Sequence, residues 1–288
     1  MASMRDIKRR KSSVSSTQQI TKAMKVVSTV KLQKAKAKAE ATNPYFNHMY
    51  ATVSSIIARS GNVDHPYLKA AEGGKKAIIV ITSNRGLAGG YNSNVVKLVT
   101  GSDIPKEDVV IYNIGSKGSE QLSRRGYEIG ADYSAVIDGP QYTDAVDVCD
   151  EVLQAFAAGE ISEIYLAYTH FKNTVSYIPK LMKLLPISLD EIETDADESV
   201  DEKLLMNFEP TEEAALDMII PKYVASLIYG ALMEAVASEN GARMTAMDSA
   251  TSNAEEIISD LTLKYNRARQ GSITQELTEI VAGADAIN

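Results

Sequence analysis

The chain has 288 residues, of which 44% are hydrophobic and 24% are charged, and its net charge is −8. This composition is that of a globular protein and excludes a disordered chain. The single cysteine, Cys149, excludes an internal disulfide and a cysteine-rich metal cluster, and we expect it to be a small core residue in a helix. No apolar run reaches the roughly 18 residues of a membrane span, and no secretory pattern precedes the first motif.

The net charge conceals a strong asymmetry along the chain. Residues 1–40 contain eleven Lys or Arg against two acidic residues, a net charge of +9. Residues 190–217 contain twelve Asp or Glu against one Lys, a net charge of −11. The amino-terminal segment is therefore suited to meet anions, and the acidic segment is expected to stay solvated as an exposed loop at 190–202.

Both ends of the chain predict very long helices. Residues 1–43 contain neither Pro nor Gly, residues 222–288 contain no Pro, and both are rich in helix-favouring residues. Such helices would be roughly 65 and 100 Å long. They are too long to fit inside a compact globule of this chain length.

The apolar spacing predicts that the two terminal helices pair. Two series step by four and three residues: Ala23, Val27, Val30, Lys34 and Ala37 near the amino terminus, and Ala254, Ile258, Leu261, Tyr265 and Ala268 near the carboxyl terminus. These seams are poor in Leu and Ile, so the pattern alone favours an ordinary antiparallel helical hairpin over a coiled coil. A final stripe, Ile273, Leu277, Ile280, Ala284 and Ile287, faces a new direction, as expected if the second helix extends past its partner.

The middle of the chain predicts alternating strands and helices. Strand-like runs occupy residues 75–84, 108–115 and 163–171, and predicted helices occupy 94–100, 117–125 and 143–159. This alternation is typical of a parallel α/β sheet. Residues 175–187 predict a further strand near an edge, where Pro179 is tolerated.

The glycine-rich segment at 82–92 follows a strand and leads into a helix, where a phosphate-binding loop would lie. Its sequence, TSNRGLAGGYN, matches neither GxGxxG nor GxxxxGK[ST], and NIGSKGSE at 113–120 also has the wrong spacing. A nucleotide site and a tight strand-to-helix turn are the two interpretations. The spacing favours the turn.

We find no pattern that predicts a catalytic or metal centre. Paired carboxylates at 212/213, 255/256 and 276/279 fall on helices without a companion His or Lys and are typical of solvated faces. The histidines, at positions 48, 65 and 170, have no metal-ligand spacing. We therefore expect no catalytic residue, no cofactor and no metal in this chain.

The basic amino-terminal helix is compatible with two kinds of partner. Its Lys and Arg residues could bind nucleic-acid phosphates, but no aromatic residue precedes Tyr45 to stack on bases, and no leucine heptad follows. An acidic protein surface is the other candidate.

Four segments resemble the gamma subunit family of F-type ATP synthases. They are MRDIKRRKSSVSSTQQITKAMKVVSTVKLQKAK (4–36), NRGLAGGYN (84–92), ENGARMTAMDSATSNA (239–254) and ITQELTEIVAGADA (273–286). The last segment is the most specific, and the resemblance covers essentially the whole chain. Ala88 lies where many members of the family have Cys, and the dicysteine insertion of the chloroplast form is missing, so thiol regulation is not expected.

The resemblance implies an α/β central domain with a mostly parallel, Rossmann-like sheet, inserted between two long terminal helices that form an antiparallel coiled coil. The expected boundaries are 1–60 for the first shaft helix, 75–208 for the central domain and 209–288 for the second shaft helix. The implied function is that of a non-catalytic rotor that couples ion flow through a membrane c-ring to conformational changes at the catalytic beta subunits.

The resemblance also implies partners and contact residues. The partners would be the alpha and beta subunits, the epsilon subunit and the c-ring, at the cytoplasmic face of a bacterial membrane, with no transmembrane segment and no nucleic acid. Three sets of residues would make the contacts. Beta-subunit contacts would come from Met24, Lys25, Arg243, Gln270 and Thr274, the tip in an apolar sleeve from Ile273, Leu277, Ile280 and Val281, and the foot near the c-ring and epsilon from Leu205, Met206, Phe208 and Glu209.

Overall fold

The computed structural model describes residues 4–59, 65–69, 73–173, 176–187 and 211–285. In chain order, the α-helices and β-strands are helix α1 (Met4–Arg59), strand β1 (Lys75–Ile81), helix α2 (Tyr91–Thr100), strand β2 (Val109–Ile114), helix α3 (Ser116–Ser123), strand β3 (Glu128–Asp132), helix α4 (Tyr142–Ala157), strand β4 (Ile161–Phe171), strand β5 (Tyr177–Leu185) and helix α5 (Glu212–Asp285). The chain divides into two compact units, residues 30–242 and residues 1–29 with 243–288.

The larger unit contains one five-stranded sheet in the order β3-β2-β1-β4-β5. Strand β1 pairs in parallel with β2 and β4, and β2 pairs in parallel with β3. Strand β5 pairs antiparallel with β4 and places Pro179 opposite Thr169. The predicted fold class, a mostly parallel sheet inserted between two long helices, is confirmed, and the strand with Pro179 lies at an edge as expected.

Strand β3 is the element that the sequence analysis missed. Its sequence, EIGAD, contains one large apolar residue, and its residues alternate between exposed and half-buried. A short edge strand of this kind carries little hydrophobic signal, because only one side of it meets a neighbour. The acidic segment predicted as a loop at 190–202 lies outside the described residues.

The sheet has an apolar layer on each face. On one face β1 and β4 pack against α4 and α5, and Cys149 is 1% exposed there, so the prediction that it is a core residue is confirmed. Burial raises the pKa of its thiol to about 12. On the other face, Val95, Val96 and Val99 of α2 and Leu122 of α3 pack against Ile78 and Val80 of β1.

One stretch of α5, Glu213–Gly283, is long and apolar enough to cross a membrane by length and composition alone. The sequence did not predict such a stretch. Its most apolar window has a mean hydropathy of 1.3, and 61% of that window is buried inside the protein. Burial of this kind is typical of the core helix of a folded domain.

The smaller unit consists of the start of α1 and the end of α5, which run antiparallel. Polar side-chain contacts join the helices, and the residue number on α5 falls as the number on α1 rises: Gln18 to Glu255, Thr21 to Thr251, and Lys25 to Asp248.

The predicted seam is correct for α5 and wrong for α1. On α5, Ala254 and Leu261 are buried, and the other three predicted positions are half-buried. On α1, Ala23 is exposed, Val27 is 56% exposed and Val30 is 47% exposed, and Lys34 and Ala37 are exposed as well. Between residues 21 and 37, the buried positions of α1 are instead Thr21, Ser28, Leu32 and Ala35.

The error on α1 has a physical cause. The prediction followed the valines, because apolar residues usually face a partner helix. In the smaller unit, however, the buried positions of α1 carry hydroxyl groups: Thr21 lies 2.8 Å from Thr251 and is 8% exposed, and Ser28 is 3% exposed. These two residues are small, whereas Val27 and Val30 face outward.

A half-buried carboxylate on β4, Glu163, makes the stability of the fold depend on pH in the acid range. Glu163 accepts hydrogen bonds from Lys183 at 2.8 Å and Tyr165 at 3.0 Å, and its carboxylate lies 2.6 Å from Lys76. Burial by itself would raise its pKa, but these donors outweigh burial and lower the pKa to about 2. The ionised form is therefore favoured in the folded state.

We predict that Glu163 stabilises the fold at neutral pH and not in strong acid. A carboxyl whose pKa falls from an ordinary 4.5 to about 2 contributes about 3 kcal/mol above pH 5, and this is lost as the pH falls towards 2. Urea unfolding of Glu163→Gln should show a lower stability than the parent chain at pH 7, and the two should converge near pH 2. Equal stabilities at pH 7 would contradict the prediction.

We also predict that the turn from β2 into α3 accepts only glycine at position 115. Gly115 has φ +99°, and a Cβ atom there would overlap the carbonyl oxygen of Thr82. Gly115→Ala should cost at least about 3 kcal/mol of unfolding free energy, through backbone strain and overlap together. Gly126 is the matched control, with φ +83° and open space, so Gly126→Ala should cost about 1–2 kcal/mol. Equal losses would exclude the overlap.

Candidate functional site

The residues assigned to beta-subunit contact on α1 lie at the border of the helix pair. Met24 is half-buried. Lys25 donates to Asp248 Oδ1 of α5 at 2.5 Å, and the two side chains are 41% and 56% exposed. An exposed pair of this kind contributes about 0–1 kcal/mol, so Lys25 can exchange Asp248 for another carboxylate at little cost.

Arg243, Gln270 and Thr274 lie in different surroundings on α5. Arg243 is only 9% exposed, whereas Gln270 and Thr274 are exposed. The 27 residues from Arg243 to Gln270 span about 40 Å of helix. The structure therefore does not bring Arg243 together with the other two, and Arg243 is not the surface residue that its charge suggests.

The apolar stripe near the end of α5 is uncovered. Ile273, Leu277, Ile280 and Val281 are 48%, 58%, 67% and 59% exposed, and every described residue from 273 to 283 is exposed. The stripe does not pack against the described part of α1. Four outward apolar side chains on two to three helical turns form an apolar patch, which in a folded protein usually marks a contact surface.

A basic groove lies between the two helices of the smaller unit, close to this stripe. Its lining includes Arg9 and Arg10 from α1 and Lys264 and Arg267 from α5, with Asp6 as the only carboxylate among its lining residues. Asp6 lies 3.8 Å from Arg9. The basic run at the amino terminus predicted half of this groove. The contribution of α5 depends on the helix pairing and was not predicted.

The glycine-rich turn after β1 is held by hydrogen bonds within the turn. Asn92 Oδ1 accepts the backbone N–H of Ser83 at 2.9 Å, and Ser83 Oγ donates to the carbonyl of Arg85 at 2.7 Å. Ala88 and Tyr91 are buried against Ala242 of α5. Doubly wound sheets bind nucleotides in a crevice at the carboxyl ends of their strands, and the turn after β1 lies at this position. Here α5 of the same chain packs against the turn, which favours the interpretation as a structural turn.

The carboxylates considered for catalysis lie on solvated helix faces. Glu213, Glu255, Glu256, Glu276 and Glu279 are all exposed. Glu255 and Glu279 accept hydrogen bonds from glutamine side chains. Among the described residues, no three His, Cys, Asp or Glu side chains are grouped closely enough to hold a metal ion. The foot residues Leu205, Met206, Phe208 and Glu209 lie outside the described part of the chain.

Comparison with known sequences places the whole chain in one family. A family model described as ATP synthase matches residues 3–287. The ATP synthase gamma chain of Lachnoclostridium phytofermentans is 66% identical over 100% of both chains. The sodium-ion-specific ATP synthase gamma chain of Acetobacterium woodii is 43% identical over 99% of both. Nothing in these relatives supports the nucleic-acid interpretation.

Solved structures with the same fold belong to rotary complexes. A chain of the central stalk and c-ring of the Tetrahymena thermophila mitochondrial ATP synthase has a TM-score of 0.59 and 26% identity, covering 80% of this chain and 99% of its own length. A rotor chain of the Euglena gracilis enzyme has a TM-score of 0.64, covering 94% and 98%, and its 16% identity speaks to the fold alone. From residue 3 to residue 287, the chain belongs to the family of ATP synthase gamma chains.

Proposed function

We propose that this chain is the rotating central shaft of a bacterial ATP synthase, which couples ion flow through a membrane ring to sequential conformational changes at catalytic beta subunits. The observation that carries the proposal is the 66% identity to a gamma chain over the full length of both proteins. The chain itself is not the enzyme. The catalytic sites belong to its beta-subunit partners.

Each proposed partner is matched to one part of the chain. The uncovered stripe of α5 lies in an apolar sleeve formed by the alpha and beta subunits, and burial of a Leu or Ile side chain there contributes about 1.5–3 kcal/mol. Leu205, Met206, Phe208 and Glu209 form the foot near the c-ring and the epsilon subunit. The complex holds the chain as a peripheral protein at the cytoplasmic face of the membrane.

The shaft must differ from side to side in order to act on its neighbours. A shaft that bound every beta subunit equally would shift no equilibrium, and moving one site from 1:99 to 99:1 needs about 5.5 kcal/mol of differential binding. The described part of α1 up to Thr29 carries seven Lys or Arg and one Asp, whereas residues 248–260 of α5 carry four acidic and no basic residues. A basic helix beside an acidic stretch gives this electrostatic asymmetry.

The contacts that drive the beta subunits must also be released as the shaft turns. Exposed pairs such as Lys25 with Asp248 are weak individually and can exchange partners. Exposed Ser and Thr side chains such as Ser13 and Thr17, together with exposed charges, do not interlock deeply with a neighbour, so they lower the barrier between successive angles. Several such contacts together supply the required differential energy.

We predict that Gln270→Ala with Thr274→Ala lowers coupled ATP turnover in a complex reconstituted with alpha and beta subunits. Both side chains are exposed, so the unfolding temperature of the isolated chain should stay unchanged. Loss of two hydrogen bonds of about 1 kcal/mol each would reduce turnover by about thirtyfold. Arg243 is left unchanged in this variant because it is only 9% exposed, and replacing it would also alter stability.

Gln19→Ala is the matched control, because Gln19 is an exposed glutamine on α1 without a proposed contact. Its turnover should equal that of the unchanged chain. If the double variant retained full turnover, or if it lost stability and turnover in parallel, the contact assignment would be wrong.

We predict that the isolated chain hydrolyses no ATP, because the crevice above the sheet is filled by Ala88, Tyr91 and Ala242. The measurement is phosphate release by the purified chain alone, compared with the complex that contains beta subunits. If the chain alone still released phosphate after repeated purification, the nucleotide-site interpretation would be supported instead.

A further inference from the structure

Helix α5 is joined to the carboxyl end of β4 by a carboxylate. Glu234 Oε2 accepts the backbone N–H of Phe171 at 3.3 Å and lies 2.7 Å from His170 Nδ1. One side chain of the helix thus contacts a backbone group and a side-chain group of the last two residues of the strand.

A second contact lies one helical turn further along α5. Ser238 Oγ donates to the backbone carbonyl of Thr169 at 3.2 Å, and Ser238 is fully buried. Four residues of helix advance about 6 Å, and the two residues from Thr169 to Phe171 advance about 6.6 Å of strand. The two contacts therefore match in spacing, and together they fix both the position of α5 along its axis and its rotation.

Most of the other buried residues of α5 near these two contacts are apolar. Ala231, Leu232, Met233, Ala235, Ala237 and Ala242 are at most 3% exposed. Apolar burial stabilises the packing but has no directional preference. Hydrogen bonds to backbone groups of a strand do have one, so they set the register of the helix.

We propose that Glu234 is a positioning residue that locks the shaft helix in register on the sheet, so that torque passes between the α/β domain and the shaft without slip. The inference rests on the proposed rotor function. A rotor that is driven at its domain and acts on catalytic subunits through its helices must transmit force through the attachment of helix to sheet. Glu234 contacts two groups at the end of β4, the Phe171 N–H and the His170 ring, and Ser238 provides a second fixed point.

The test compares ATP hydrolysis with ATP-driven ion transport in membrane vesicles that contain the complete ATP synthase with this chain. Both proton and sodium transport are measured against an established ion gradient. The readout is the number of ions transported for each ATP hydrolysed. In Glu234→Ala this ratio should fall at least twofold while hydrolysis continues, because the helix slips on the loaded sheet. If Glu234 had only a structural role, fewer complexes would assemble, but the assembled complexes would transport as many ions per ATP as the unchanged protein.

Three further variants keep the outcome interpretable. Glu234→Gln retains an oxygen that can accept the Phe171 N–H, and it should restore part of the ratio. Ser238→Ala removes only the second contact and should lower the ratio less, which provides a readout if Glu234→Ala does not assemble. Glu213→Ala is the matched control, since Glu213 is an exposed glutamate on the same helix, and its ratio should be unchanged.

An unchanged ratio in both Glu234→Ala and Ser238→Ala, or an unchanged ratio in Ser238→Ala when Glu234→Ala does not assemble, would overturn this inference and leave the rotor function intact. Failure of the unchanged chain to support any ion transport coupled to ATP would instead overturn the proposed function. The two failures are therefore distinguishable in one set of vesicles.

Discussion

The structure depends on helix α5 being stable in two different environments. Around Val224 to Ile228 it is buried on all sides against the sheet and its neighbours, whereas beyond Ile273 every described residue up to Gly283 is exposed. A helix satisfies its own backbone hydrogen bonds, so it can continue from a core into solvent without losing them. Only the side chains have to change, from apolar around the whole circumference to polar with one apolar stripe.

The sheet provides the rigid body to which this helix is attached. Strand β1 lies at its centre with Ile78 to Ile81 fully buried, and an apolar layer covers each face. The crevice at the carboxyl ends of the strands is often a ligand site in sheets of this class. Here Ser238 and Ala242 of α5 occupy it, so a position that could bind a small molecule serves as an attachment point for a helix.

The smaller unit has a different character, because polar contacts join its helices beside a few buried apolar residues such as Leu261. The pairs Thr21 with Thr251 and Lys25 with Asp248 lie where a stable coiled coil would have more interlocking leucines. Valines that would ordinarily lie between the helices face outward instead. In the proposed function, this arrangement leaves apolar and charged surface free for neighbouring subunits, at the cost of a weaker internal seam.

The sequence by itself determined the long terminal helices, the four stronger strands, the edge position of Pro179 and the family. Each of these depends on local composition or on residues close together in the chain. Tertiary structure alone decided that α1 turns its valines outward, that Arg243 is buried, that Lys264 and Arg267 join Arg9 and Arg10 in one groove, and that Glu234 meets Phe171. The physical reason is that a helix pattern shows which residues share a face, whereas the partner of that face depends on contacts between residues far apart in the chain.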